Sequence, residues 1–301
     1  MLNIKQLQVL LSIEEIQEVE ILDKGFSDDS KYVVKTSRDK FLLRLTSIKN
    51  KARMLQMISL LKQAKANNIR THQVIDHGEF SETQYYLLTT WIEGRDLEVV
   101  LPTLSKEKQY EIGLQAGEIL RHIHDFEMNL FSEDRWENRF NKKIDKKIKA
   151  YEECDIKFEN GDLFIEAVES RRYLLKDSPI VQHHGDFHVG NLLINDKGQI
   201  YIIDFDRHDT GDPYEEFNRI VWCAGVSSYF ASGRVDGYFN NNIPSIFWDL
   251  LILYISNNTL SSLPWAVPFG DKQIEVMKVQ AKQILTWYDN FNTYIPSWYI
   301  S

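Results

Sequence analysis

His183-His184-Gly185-Asp186-Phe187-His188-Val189-Gly190-Asn191 reads H-G-D-x-x-x-x-N, and Ile202-Ile203-Asp204-Phe205-Asp206 follows, with Asp204 thirteen residues past Asn191. Between them lie two short apolar runs, Leu192-Leu193-Ile194 and Ile200-Tyr201-Ile202-Ile203, separated by Asn195-Asp196-Lys197-Gly198. Asn, Asp and Gly between apolar runs are hairpin-turn chemistry. The fragment therefore predicts loop, strand, tight turn, strand, acidic loop, a hairpin that carries Asp186, Asn191 and Asp204 to one edge. A carboxylate that orients a hydroxyl, with an amide and a second carboxylate as hard oxygen ligands, is what phosphoryl transfer to an alcohol requires.

Outward from this stretch the chain changes character. Upstream, Val19–Leu22, Lys31–Thr36 and Phe41–Leu45 read as a three-strand meander, residues 49–66 as a helix, and Val74–Gly78 and Tyr85–Ile92 as two more strands. A further helix is expected over residues 3–18. From Ser105 onward the pattern is helical: 105–124, 134–150, 162–176, 214–231, 244–260 and 271–291. The predicted architecture is α+β, an N-terminal antiparallel sheet lobe over residues 1–92 and a larger, mainly helical lobe over residues 93–301. The length of 301 residues suits two lobes.

Composition narrows the class. Net charge is −9, which argues against a nucleic-acid binder on charge grounds. Residues 1–92 hold 13 Lys+Arg against 11 Asp+Glu and residues 93–301 hold 22 against 33, so an acidic second half favours a cationic small molecule or is simply solvated helix surface. Two cysteines show no disulfide or zinc spacing, which fits a reducing cytoplasm. Met1–Glu20 lacks the pattern of a signal peptide, and the apolar run Phe247–Ile255 is too short for a bilayer and contains Asp249, so no membrane partner is expected.

Other residues have two readings each. The turn Asp23–Ser30, with Gly25, Ser27 and Ser30, either lies over nucleotide phosphates or is an ordinary hairpin loop. Arg44 interrupts the apolar run Phe41–Leu45 and reaches either solvent or an anion such as a triphosphate. His122 and His124 close a helix and read as structural. His183, His184, His188 and Asp186 form a set that suits zinc, but under that reading Asn191 and Asp204 have no task.

These motifs, with Gly211-Asp212-Pro213 after them, resemble the aminoglycoside phosphotransferase family, whose relatives include macrolide kinases and choline kinase and share the protein-kinase fold. The resemblance spans nearly the whole chain. It implies a bilobal protein-kinase-like fold, a kinase of small molecules using ATP or GTP with Mg²⁺, and an association with antibiotic resistance. By that resemblance Asp186 is the catalytic base and Asn191 and Asp204 hold the metal. Thr90, Trp91 and Ile92 form the hinge beside the purine, Ile203 contacts the nucleotide, Arg44 takes the place of the phosphate-pairing lysine, and His184 and Asp212 brace the catalytic loop. Asp206, Glu215 and Trp265 (Trp265 in an expected loop) are candidates for the hydroxylated acceptor, and a monomer or weak dimer is implied. One departure stands out. The helix after the third strand normally carries a glutamate that pairs with the phosphate-binding cation, yet no Glu lies between Glu20 and Glu79 and no Asp between Asp39 and Asp76. Gln56 is the nearest replacement, which leaves a catalytically weak or inactive kinase-fold protein as the alternative.

Overall fold

The computed structural model describes residues 7–8, 15–22, 29–128 and 134–300. The fold is α+β, an N-terminal antiparallel sheet followed by a mainly helical region. The chain divides into two compact units, and the division is not one cut. Met1–Arg95 joins with Leu193–Phe205, and Asp96–Leu192 joins with Asp206–Ser301. The hairpin of the opening motif thus separates from the loop that precedes it.

In the first unit five strands run in the order β1-β2-β3-β5-β4, all antiparallel: β1 (Glu18–Ile21), β2 (Ser30–Lys35), β3 (Lys40–Ser47), β4 (Val74–Ser81) and β5 (Gln84–Thr90). Alternation sets the faces, since successive side chains point to opposite sides. Val34, Leu43, Leu45, Tyr86 and Leu88 share a core with Leu7 and Ile16. Most of the helix expected over residues 3–18 lies outside the described residues. Helix α1 (Lys51–Ala66) buries Met54, Met57, Ile58, Leu60, Leu61 and Ala64, so its methionines are core. It ends without glycine: Asn68 takes the left-handed conformation (φ 58°), and the Ile69 N–H closes on the Ala64 carbonyl at 2.9 Å. The hairpin forms as its sequence predicts, strands Leu192–Ile194 and Ile200–Ile202 about a turn in which Asn195 Oδ1 accepts the Lys197 and Gln199 N–H groups. Its second strand is tied by the Ile202 N–H to the Arg70 carbonyl at 2.9 Å.

The second unit is built of α2 (Leu97–Val100), α3 (Lys106–His124), α4 (Trp136–Glu153), α5 (Gly161–Glu169), α6 (Ile220–Val226), α7 (Ser228–Phe239), α8 (Ser245–Ala266) and α9 (Asp271–Trp287). Two expected helices are broken. The span 162–176 stops at Glu169, where Ser170 Oγ bonds back to the Glu166 carbonyl at 2.7 Å, and resumes as a 3₁₀ turn over Arg172–Leu175. The span 214–231 is interrupted by Ser227, whose extended backbone and side-chain bond to the Phe230 N–H cap α7. Helix α8 is buried on most sides, with Trp248 and Tyr254 in the core. Helices α3 and α7 cross at glycines. A Cβ on Gly113, Gly117, Gly233 or Gly237 would fall 2.1–2.3 Å from a carbonyl oxygen of the facing helix. Among the described residues no helix is long and apolar enough to cross a membrane.

Candidate active site

The loop after strand Val181–His183 is shaped from inside the helical unit. Gly185 has φ 88°, and a Cβ there would lie 1.8 Å from the Arg207 carbonyl oxygen, so only glycine fits. Its N–H donates to both carboxylate oxygens of Glu216, at 2.9 and 3.1 Å. Glu216 is buried. Burial alone would raise its carboxyl, but the surrounding imidazoles of His124, His183 and His184 outweigh it and hold the group below the ordinary carboxylate range. His124 itself is pushed down by burial, with Nδ1 at 2.8 Å from the Tyr238 hydroxyl. Arg234, fully buried, sits 4.8 Å from the ring centres of Phe187 and Phe217 and donates to the Glu216 carbonyl at 3.2 Å. A charged scaffold therefore stands directly under the H-G-D turn.

Within the loop, the Asp186 N–H donates to His184 Nδ1 at 3.2 Å, which fixes the buried imidazole as an acceptor there. Asn191 Nδ2 donates to the Asp186 carbonyl at 2.9 Å, while its Oδ1 takes no hydrogen bond among the described residues. That leaves a hard oxygen, the kind of donor Mg²⁺ prefers. Asp186 is 13% exposed at its side chain, and Oδ1 lies 2.7 Å from Arg219 Nε and 3.5 Å from His188 Nε2. Oδ2 lies 3.7 Å from Arg207 Nε. Burial draws His188 down to about 4, so the imidazole beside Asp186 is neutral at physiological pH. Asp212 is buried, accepts the Tyr214 N–H at 2.7 Å, and offers its carbonyl to His183 Nε2 at 2.9 Å. Its contact with the loop runs through His183. The direct grip on Gly185 belongs to Glu216.

In the sheet unit, Arg44 is buried in β3. Its Nε is 3.8 Å from Asp29, its Nη2 3.9 Å from Asp204, and its Nη1 3.7 Å from Met57 Sδ on α1. The acidic partners absent from the helix are thus supplied by Asp29, just before β2, and by Asp204 itself. Asp204 has φ 68°, a left-handed conformation uncommon for a residue other than glycine. Past β5, the Thr90 N–H is taken by the Gln73 carbonyl at 2.9 Å, its carbonyl by His72 Nδ1 at 2.9 Å, and the Trp91 N–H by the Lys40 carbonyl at 3.1 Å. The Trp91 carbonyl and the Ile92 N–H take no backbone hydrogen bond among the described residues, an adjacent acceptor and donor suited to a purine edge. Ser30 opens β2 and is exposed, and Ile203 is half-buried beside Asp204. Gly25 and Ser27 lie outside the described residues.

The three acceptor candidates fare differently. Glu215 is held by Lys143 Nζ at 3.0 Å and faces His183 at 3.8 Å, so its charge is already matched. Trp265 is not in a loop: it occupies the last turn of α8, which accommodates Pro264, and its ring meets Phe269 at 4.9 Å. Asp206 is the middle residue of a 3₁₀ turn, Phe205–Arg207, and is half-buried. Among the described residues no group of three or more His, Cys, Asp and Glu is placed to hold a metal ion. Asp29, Arg219 and Arg234 are not singled out by the sequence as parts of a site, and Glu216 is legible there only as a possible contact to a cation. Only the spacing of Glu216 and Arg219 soon after Gly211-Asp212-Pro213 offered a signal.

A sheet unit carrying a buried arginine and a helical unit carrying an H-G-D-x-x-x-x-N loop define a protein-kinase-like phosphotransferase fold. The model of the phosphotransferase enzyme family matches residues 18–246, and the chain belongs to that family. Among solved structures it is similar to a thermostable mutant of aminoglycoside phosphotransferase APH(4)-Ia in ternary complex with ADP and hygromycin B, at 16% identity over 93% of this chain and 96% of that one, TM-score 0.65. Spectinomycin phosphotransferase APH(9)-Ia with ADP and spectinomycin follows at 15% identity, 94% of each chain and TM-score 0.63. The gentamicin–APH(2″)-IIa complex stands at 15%, 94% and 97% coverage and TM-score 0.64. No curated protein matches the chain.

Proposed function

We propose that this protein is a small-molecule kinase that moves the γ-phosphate of ATP or GTP to a hydroxyl of an aminoglycoside-like, macrolide-like or other small acceptor. The observation that carries the reading is the Asn191 side chain tied at 2.9 Å to the Asp186 carbonyl on a turn gripped through Gly185 by Glu216. One loop thereby fixes a carboxylate and a hard oxygen ligand together, the preorganisation that phosphoryl transfer depends on.

In this reading residues 1–92 form the nucleotide-binding lobe and residues 93–301 the catalytic and acceptor-binding lobe, with the hairpin of Asp204 serving the first. Trp91 and Ile92 would hold the purine edge and Arg44 the phosphates, steadied by Asp29. Asn191 and Asp204 offer oxygen donors suited to Mg²⁺, which when bound neutralises charge on the phosphates. Asp186 would orient the acceptor hydroxyl. As the new P–O bond forms, the hydroxyl proton passes to Asp186, and the bond from γ-phosphorus to the bridging oxygen breaks with its electron pair leaving on the nucleoside diphosphate. A cytoplasmic setting and a role in resistance or in metabolism are both compatible with the site.

A second reading, a nucleotide binder that transfers nothing or transfers slowly, draws on Arg219 Nε standing 2.7 Å from the Asp186 carboxylate, where an acceptor hydroxyl would have to come. Labelled ATP with Mg²⁺, offered with panels of hydroxylated acceptors, separates the two. The kinase reading expects transfer that Asp186→Asn abolishes and chelation of Mg²⁺ stops, with nucleotide binding retained in the variant. Substantial turnover by Asp186→Asn refutes Asp186 as the base, and nucleotide binding without transfer to any acceptor favours the second reading.

A further inference from the structure

The acidic second half of the chain suggests a cationic acceptor, but the residues around Asp186 carry the opposite charge. Arg219 and Arg207 both converge on Asp186, at 2.7 and 3.7 Å. Both present Nε to it, and their Nη groups donate to no side chain or carbonyl among the described residues. Arg219 is 22% exposed at its side chain, and several donors of its guanidinium have no protein acceptor among the described residues. Lys147, which feels the charges of Arg219 and Glu215, has an Nζ that among the described residues reaches the Asn257 carbonyl alone, at 3.5 Å. Burial, with Lys143 and Arg219 nearby, draws this lysine down to about 7. Lys143 completes the cluster through its ion pair with Glu215 at 3.0 Å. Arg207, Arg219 and Lys143, with the partly charged Lys147 near them, thus outnumber the two carboxylates Asp186 and Glu215, and each carboxylate already has a cation of its own.

Such a surplus favours an anion. Like charges held close together repel, and the guanidinium donors that have no protein acceptor are open to a ligand. An oxyanion relieves the repulsion and takes up those donors. A planar guanidinium matches a carboxylate or a phosphate two bonds at a time, and an ammonium adds a point charge. A polyamine would meet more cations than carboxylates here.

We propose that the acceptor carries, besides its hydroxyl, an oxyanion group, carboxylate or phosphate, that binds Arg219 and Lys147, draws Arg219 away from Asp186, and leaves that carboxylate free to receive the hydroxyl. The inference rests on the kinase reading for the hydroxyl and on the cation cluster alone for the oxyanion. It gives Arg219 two roles, holding the base while no acceptor is bound and selecting the acceptor that releases it. The Arg219–Asp186 contact then ceases to speak against catalysis.

The test has two parts. First, the full chain is titrated with inorganic phosphate and, separately, with acetate, without nucleotide, following the arginine Nε–H resonances and the binding heat. Saturable binding that perturbs the Arg219 resonance is expected, roughly tenfold to a hundredfold weaker in Arg219→Gln and Lys147→Met and unaffected in Arg44→Gln. Phosphate binding that is lost in Arg44→Gln and kept in Arg219→Gln, or absent from the parent protein, overturns the proposal. The resonance shift is read on the parent protein, so the test survives a variant that does not fold. Second, transfer from labelled ATP is compared across hydroxy acids, sugar phosphates, neutral sugars and aminoglycosides. Preference for either anionic class over its neutral analogue, reduced in Arg219→Gln mainly through KM, supports the proposal, and the favoured class identifies the oxyanion. Efficient transfer to neutral or amino-bearing acceptors alone overturns the oxyanion and leaves the kinase reading standing. Anion binding at Arg219 with no transfer to any acceptor sinks the kinase reading and leaves the anion site.

Discussion

Replacing Gly117 by alanine tests how tightly the helical unit is drawn together behind the H-G-D loop. The added Cβ would meet the Arg234 carbonyl oxygen at 2.2 Å and the Tyr238 nitrogen at 2.5 Å. A carbon and a carbonyl oxygen need about 3.3 Å, so α3 and α7 must part locally by roughly 1 Å. Both obstructing atoms are backbone, and neither can rotate aside. Overpacking of this kind costs about 1–3 kcal/mol, set against roughly 1 kcal/mol gained because alanine is the better helix former. With rigid neighbours the cost lies at the upper end, and a net loss of about 2 kcal/mol is expected. Gly237 faces the same crossing, its Cβ 2.1 Å from the Leu114 carbonyl. One separation accommodates both substitutions, so the double variant should lose less than the two single losses combined. Gly225→Ala is the control: its Cβ would meet only Gln283 Oε1, at 3.8 Å, and stability should be unchanged or slightly higher. Urea unfolding followed by tryptophan fluorescence reads all four. A Gly117→Ala protein as stable as its parent, or a Gly225→Ala protein equally damaged, refutes the reasoning. Because α7 also carries Arg234, which packs on Phe187, transfer should fall by more than the lost stability explains.

Other outcomes follow from single contacts. Arg44→Ala should weaken nucleotide binding by roughly tenfold or more, as loss of a charge-assisted contact to phosphate implies, and an unchanged affinity by calorimetry would mean that the side chain serves only Asp29 and Asp204. Glu216→Ala strands the Gly185 N–H and should cost about 1–3 kcal/mol in stability, with faster hydrogen exchange at the Gly185 amide as its signature; protection equal to the parent's would count against the grip. His72, drawn by burial from 6.5 down to about 4, binds a proton in the unfolded chain that it lacks when folded over that window. Its contribution is therefore complete above about pH 6.5 and declines as pH falls toward 4, amounting to a loss of up to about 2 kcal/mol by pH 5. Urea midpoints at the two pH values should converge in His72→Phe, and an identical pH dependence in parent and variant would reject the assignment.

The reach of the sequence differed between layers for physical reasons. Strands β2, β3 and β5 and helix α1 were legible because alternation and 3.6-residue spacing record a buried face directly. The H-G-D loop and its hairpin were legible because turns constrain residue type, as Gly185 with its positive φ illustrates. Helix breaks at Ser170 and Ser227 were missed because a serine hydroxyl competing for backbone bonds leaves no periodic trace. The partners of Arg44 were sought on α1 because the family pattern puts them there, yet Asp29 lies upstream of β2 and is brought in by strand pairing. The cluster of Arg207, Arg219 and Lys147 joins separate stretches of chain, and the charge balance of 209 residues conceals it. A net charge averages over the surface, whereas an acceptor meets only the few groups that face it.

The hairpin Leu193–Phe205 has a bearing on how this protein is made. It completes a unit whose other part ends at Arg95, and its strand is tied to Arg70. On a ribosome adding about 5–20 residues per second, the sheet is synthesised several seconds before the segment that finishes it. Until then the Arg70 carbonyl and Arg44, which lacks Asp204, wait for partners not yet translated. The unit is complete only once residue 205 has been made, and a chain terminated after residue 95 should be a poor substitute for the lobe it encodes. Synonymous changes that alter translation speed between residues 96 and 192 should therefore affect the yield of folded protein more than similar changes after residue 205.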